Sequence, residues 1–405
     1  MSPLKVAFFT TFIDLLGFGI IIPIQPFYAE SFGASAAIIT ALGAVYSLMQ
    51  FLFSGMLGRL SDRVGRRPVL LITVSLVCVG YLLFARATSI AGLFLARAIC
   101  GIGGANIGAA QAIIADVTPP DQRSKGMGLI GVAFGLGFIF GPAIGGFLGQ
   151  WGPTYPIYAA AALSALNWVF IFTKLPETRV EASDPQAGDG EVDKEASHHG
   201  LSDFKRYLSF TNLFELFGVA FFFTLAFALM EQTIGLLIEK VWVDGALQKE
   251  IMHREAARLT AYFLVSVGVG AAIVQGGLIG RLTTRFGEVS LCRMGVALVT
   301  LTFALIPVIG GRSLPFSAMM LVGLVMAAGT GMLHPSRSAL LSQAVPAQLQ
   351  GGALGASHSL SALGRVFGPA CAGLLFEQGI YLPLYVGAGI MCVALLMTLR
   401  LKPLT

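Results

Sequence analysis

Ionisable residues stand inside stretches that are otherwise apolar. They are Asp14 in "TTFIDLLGFG", Arg97 in "LFLARAICG", Glu231 in "FALMEQTIG", His334 and Arg337 in "MLHPSRSAL", and Arg365 in "ALGRVFG". In hydrocarbon such a charge costs about 2.5–3.5 kcal/mol on insertion scales, so it should face a partner, a ligand or water. Asp14 lies nine residues beyond Lys5, about 14 Å along a helix, close to the middle of a bilayer. A desolvated carboxylate there can bind and release a proton as its surroundings change; the plainer alternative is a permanently paired structural group. Arg97 reaches a comparable depth and is the expected partner of Asp14, in a coupling role or as a fixed ion pair. Glu231 could receive a cationic substrate or a second proton. His334 and Arg337, three residues apart, share a helix face and with Arg365 could contact substrate, or else snorkel and pair structurally. Gln25, Gln50, Asn106, Gln111 and Gln232 can hydrogen-bond a ligand, and Phe134, Phe138 and Phe227 can line an apolar cavity beside Tyr46. Each of these is also an ordinary packing group.

The elements that must position these residues follow from composition. The 405 residues are 56% hydrophobic and 12% charged, against about 25% charged in a soluble domain. Lipid is therefore the expected solvent, and a crossing takes about 20 helical residues. Cutting at polar or Gly/Pro-rich breaks gives spans near 5–29, 36–57, 68–86, 89–115, 125–149 and 154–173, then 212–239, 258–279, 289–310, 314–342, 351–376 and 380–400. The predicted fold is an all-α membrane protein of twelve helices in two six-helix bundles, 1–173 and 211–405. A linker over 174–210 separates them; it is acidic, poor in large apolar residues and expected to be disordered, apart from a possible surface helix in "LSDFKRYL". Glu30, Glu215 and Glu239 read as interfacial residues near span ends. The five cysteines fall in apolar runs and read as small buried hydrophobes, with no disulfide framework and no metal site. No cofactor is expected. The run after Lys5 contains Asp14 and continues too long for a signal peptide, so it reads as a retained span.

The basic residues set an orientation. Connectors on the side of the N-terminus hold seventeen Lys and Arg, the opposite connectors six, and the spans three. Both termini and the linker are expected in the cytoplasm. The net charge of +5 sits in these short connectors, which argues against nucleic acid. One connector, "GRLSDRVGRRPVLL" from Gly58 to Leu71, is echoed 222 residues later by "GRLTTRFGEVSL"; "GFIFGPAIGG" at Gly137 is echoed 227 residues later by "GRVFGPACAG". Two parallel six-helix repeats imply a transporter architecture with substrate near the midplane. Gly58 and Gly65 allow tight backbone geometry, and Asp62 is expected to cap or face the positive end of a neighbouring helix. Gly137, Gly141, Gly145 and Gly146 put small residues on one helix face that Pro142 bends, which predicts close helix packing.

At these residues the chain resembles the major facilitator superfamily along essentially its whole length. The family's loop signature matches Gly58, Leu60, Asp62, Arg63, Gly65, Arg66 and Arg67; Arg97 matches the basic residue of the fourth-span motif. "GFIFGPAIGG" matches the fifth-span signature associated with antiporters, and "DLLGFGIIIPIQP" with "ADVTPPDQRSKGMG" looks like the tetracycline-type branch of drug:proton antiporters. The resemblance implies alternating access. It also implies a conformational latch in which the loop signature works with Asp116, paired to Arg66. The expected activity is proton-coupled antiport of an amphipathic organic molecule or drug, by a monomer in a bacterial inner membrane, with protons, substrate and lipid as partners. His334, Arg337 and Arg365 depart from the drug-pump pattern, and Arg337 with Arg365 supports a rival, a proton symporter or facilitator for an organic anion or sugar. A ligand sensor on the same scaffold is a third reading. No H-E-x-x-H, G-x-S-x-G or G-x-x-x-x-G-K-[ST] occurs, so neither an enzyme nor an ATP-driven pump is expected.

Overall fold

The computed structural model describes residues 3–106, 108–110, 113–114, 123–178, 207, 210–312, 314–346 and 349–402, without the side chains of 3, 123–131, 134 and 351. With no water to pair their amides, apolar runs in lipid must close their hydrogen bonds within themselves, and all the regular structure described is helical. The first half holds α1 (Pro3–Ile21), α2 (Gln25–Glu30), α3 (Ala36–Val64), α4 (Arg66–Ala85), α5 (Ile90–Gly103), α6 (Arg123–Leu148) and α7 (Thr154–Lys174). The second holds α8 (Leu213–Trp242), α9 (Lys249–Ile273), α10 (Ile279–Gly311), α11 (Phe316–Gln343), α12 (Gln350–Gln378) and α13 (Leu382–Leu399). Ten described stretches are long and apolar enough to cross a membrane. One of them, Lys249–Gly311, contains two helices, and Arg123–Leu148 adds another of crossing length. The protein is an all-helical membrane protein of about twelve spans.

Three boundaries differ from the sequence reading. The first span is not continuous: the helix is interrupted between Ile21 and Gln25, where Pro23 lacks an amide to continue the ladder. The connector Gly58–Val64 is not a loop, because α3 runs through it and the corner is Gly65 alone, at φ 107°. The span expected at 258 begins at Lys249. Its charged first turns are held by ion pairs one helical turn apart, Glu250 with Arg254 and Glu255 with Arg258.

The small-residue face of α6 packs as expected. A Cβ on Gly137 would come within 2.8 Å of the Leu15 side chain and one on Gly141 within 2.6 Å of Gly19, while one on Gly145 would collide with the Ile20 carbonyl. Gly146 points instead across the halves, against Ala261 of α9. The echo repeats the arrangement: Gly364 and Gly368 of α12 pack on α8, and Gly373 meets α3. Polar contacts add to that last seam. The Ala37 amide donates to Glu377 at 3.0 Å, and the Gly373 amide donates to the Thr40 hydroxyl at 3.0 Å. These interhalf contacts lie on the face opposite Gly58–Arg67. Large apolar side chains such as Leu166, Leu321 and Leu396 are turned outward, as a lipid-facing surface requires. Two cysteines depart from the expectation of burial: Cys371 and Cys392 are exposed on that apolar exterior.

Candidate functional site

Asp14 sits on α1 between two amides. Asn106 donates to its Oδ2 at 2.5 Å, and Asn167 donates to its Oδ1 at 2.9 Å and to the Thr10 carbonyl at 3.2 Å. Asn106 comes from the 3-10 turn Gly104–Asn106 that ends α5, and Asn167 from the buried face of α7. Gln50 donates to the Gly104 carbonyl at 2.8 Å, so it anchors this turn. Both donors are neutral. The carboxylate is held by hydrogen bonds and can change protonation without breaking an ion pair. Asn167 did not stand out in the sequence; an amide inside an apolar span was the available signal.

Arg97, the expected partner of Asp14, is directed elsewhere. Its guanidinium carbon lies 4.6 Å from the centre of the Tyr46 ring and 6.0 Å from that of Phe84. The side chain is buried, and its Nε and Nη1 have no hydrogen-bond partner. The cation–π contact is worth about 2 kcal/mol when desolvated, which does not replace the missing hydrogen bonds. Arg97 borders a pocket with Phe18, Gln25, Glu231 and Gln232. Glu231 Oε1 is also buried without a hydrogen-bond partner, and it feels the positive charges of Arg365 and Arg97. Opposite charges from the two halves therefore face one pocket while retaining unused hydrogen-bonding capacity, which a ligand could satisfy. Phe18 continues the lining, with its ring centroid 5.3 Å from Tyr46 and 6.2 Å from Phe138.

The second half contributes a cationic lobe. Arg337 is 8% exposed, and its Nε and Nη1 lack partners; Ser336, next to Arg337, and Ser357, next to His358, also hold buried, unpartnered hydroxyls. His334 lies edge-on to Phe223 at 5.1 Å, and Phe223 stacks on Phe227 at 5.7 Å. His358 joins this group, because Arg337 and Arg365 both act on it electrostatically. It lies seven residues, two helical turns, before Arg365 on α12, and that spacing could have found it. Gln111, Asp116 and the Phe134 side chain lie outside the described residues.

The Gly58–Arg67 signature forms a separate corner. Asp62 pairs with Arg66, which also donates to Ser61 at 2.7 Å. Asp62 thus faces the first residue of α4 but does not cap the helix amides. Glu177, after α7, takes that role: its two oxygens accept from the Arg66 and Arg67 amides at 2.9 and 3.2 Å, placing negative charge on the positive end of α4. Arg67 donates to the Phe172 carbonyl at 2.6 Å. Gly65 is required twice over, by its positive φ and because a Cβ there would meet the Glu177 carboxylate. The second-half echo keeps the backbone, with Gly287 at φ 74°, 222 residues after Gly65. It has Thr284 where the first half has Asp62, and Glu288 and Val289 where it has Arg66 and Arg67, reading "TTRFGEVS" in place of "SDRVGRRP".

Residues 7–324 and 260–405 match the Major Facilitator Superfamily. The chain belongs to that superfamily. Its overlapping matches are what a duplicated architecture would give. Among relatives within the superfamily, it is 30% identical to the class B tetracycline resistance protein of Escherichia coli, over 99% of this chain and 97% of that protein. It is 28% identical to multidrug resistance protein 2 of Bacillus subtilis, over 96% and 93%. Among solved structures it is similar to the human organic anion transporter MFSD10 (TETRAN), with a TM-score of 0.69, 26% identity and 98% of both chains covered. The protein is thus a superfamily transporter related to drug-efflux antiporters, and an integral membrane protein without enzymatic activity.

Proposed function

We propose that this transporter exports an amphipathic organic molecule bearing an anionic group in exchange for protons. The observation that carries the reading is the pocket at which Arg97 and Glu231 meet, with the charge of Arg365 acting on Glu231 and with buried polar atoms unpartnered on both sides. A zwitterionic or anionic substrate would complete those bonds between the halves, near Gln25 and Gln232. Asp14 carries the coupled proton in this reading, because amides surround it without a counter-charge and access can change its protonation. The Asp62–Arg66 pair and the Glu177 clamp belong to the latch. Asp62→Asn should slow transport more than it weakens substrate binding, checked by flux and binding on the same preparation; unchanged flux would remove Asp62 from the latch. The working unit is a monomer in a bacterial inner membrane, with both termini and the linker cytoplasmic.

A second reading, symport or facilitated movement of an organic anion, is favoured by the two guanidiniums, Arg337 and Arg365, which both act on His358, and by the likeness to an organic anion transporter. Inverted vesicles with an acid lumen separate the two, using tetracycline, fluorescein and a neutral sugar as probes. Antiport drives the probe into the lumen as protons leave. Symport drives it out, and a facilitator ignores the gradient.

A further inference from the structure

The face opposite the signature corner carries a polar group that transport, as proposed, does not use. Glu30 ends α2 in the first half; Glu239 lies on α8 and His253 on α9 in the second. His253 Nε2 is 3.5 Å from Glu30 Oε2 and 3.4 Å from Glu239 Oε1. All three atoms are buried, and none has a hydrogen-bond partner. Glu239 is only 6% exposed, so it is no ordinary interfacial carboxylate; its unpartnered oxygen faces the same small space. Among the described residues this group brings three potential ligand atoms within 4.8 Å of one another.

The separations distinguish two uses of these atoms. A charge-assisted N–H···O bond closes to about 2.7–2.9 Å, well short of what is observed. A tetrahedral metal with bonds of about 2.0–2.2 Å holds its ligands about 3.3–3.6 Å apart, which includes both measured gaps. One imidazole with two carboxylates suits a first-row transition metal better than magnesium or calcium, which favour all-oxygen shells. The Phe27 ring, 5.8 Å from the imidazole, packs beside it. Lys249 is the adverse neighbour, with Nζ 3.9 Å from the other oxygen of Glu30; it is 60% exposed and free to turn outward.

We propose that Glu30, Glu239 and His253 form a divalent transition-metal site, fitted best by Zn²⁺, that bridges the two halves and holds this face closed. Water supplies the fourth ligand. The metal binds the state in which α2 meets α8 and α9, so it stabilises that state. Neither substrate identity nor proton coupling enters this inference.

The test uses the full-length purified protein carrying H198N and H199N, which removes the two consecutive imidazoles of the linker sequence as competing ligands. Calorimetric titration with Zn²⁺ should show one ion per chain, accompanied by a rise in Tm that Mg²⁺ at the same concentration does not produce. His253→Asn and Glu239→Gln should each weaken that binding by at least about a hundredfold, and Glu30→Gln by at least about tenfold. His334→Asn with His358→Asn should leave it intact. Should the buried variants fail to fold, Lys249→Ala decides: removing an exposed repelling charge should tighten Zn²⁺ binding about threefold or more. Absence of stoichiometric binding in the parent, equal binding in His253→Asn, or no change in Lys249→Ala would overturn the site. So would a Tm shift shared by Mg²⁺. A cluster that only shares a proton would give the first of these results while transport remained intact.

Discussion

The two halves of the molecule repeat their packing but not their charges. Gly141 of α6, packed against α1, and Gly368 of α12, packed against α8, occupy equivalent positions, as do the interhalf contacts of Gly146 and Gly373. The first half holds a carboxylate between two asparagines, while the second presents His334, Arg337, His358 and Arg365, with Nε and Nη1 of Arg337 unsatisfied. Close approach of two helices is a demand on the backbone that only small residues meet, so both copies answer it alike. Proton exchange and ligand binding are demands on side chains, and these differ between the copies. In the proposed function the first half carries the exchanged proton, while an anion is held by Arg97 of the first half together with the guanidiniums of the second.

The largest expected effect tests the shared packing. Gly145→Val forces a branched side chain onto the Ile20 carbonyl, and overpacking of this kind costs about 1–3 kcal/mol. Fluorescence size-exclusion should show little monodisperse protein, whereas Gly280→Ala, in open space, should match the parent. Equal yields would show that the contact between α6 and α1 does not need a small residue.

Next comes the charge carried by the first half alone. Asp14→Asn should abolish uphill, pH-driven accumulation in vesicles while sparing substrate exchange. Retained accumulation with unchanged pH dependence would move the coupling to Glu231 and erase the division of labour. Arg365→Gln tests the other half with a smaller effect, about tenfold weaker binding of anionic or zwitterionic ligands, or about 1.4 kcal/mol, with neutral ligands unaffected. Glutamine keeps hydrogen-bonding capacity but loses the charge and the planar fork. Equal losses for both ligand classes, measured by thermal shift and titration, would make Arg365 a structural arginine. The smallest effect belongs to the signature corner: Glu177→Ala removes a helix cap worth about 1 kcal/mol, seen as a Tm lowered by about one degree.

Much of the fold was legible because long apolar runs and repeated glycines are local signals. The site was legible one residue at a time, but its pairings were not. Asp14 and Arg97 both stood out as charges in lipid, yet which groups meet depends on helix rotation, and rotation put Asn106 and Asn167 on Asp14 and Tyr46 under Arg97. Glu177 and His253 escaped notice because they lie near predicted span ends, where charge is ordinary. The early start of α9 was hidden for a related reason: "KEIMHREAAR" is too polar for a hydropathy cut, although its ion pairs make it helical.

The corner at Gly65 has a hereditary consequence. A side chain at 65 and the carboxylate at 177 compete for the same space, and the backbone angle there already disfavours anything but glycine. Positions separated by more than a hundred residues therefore behave as one inherited unit. A lineage that gives up the glycine must also shorten or remove the acid, and one that loses the acid first leaves two α4 amides in need of another acceptor.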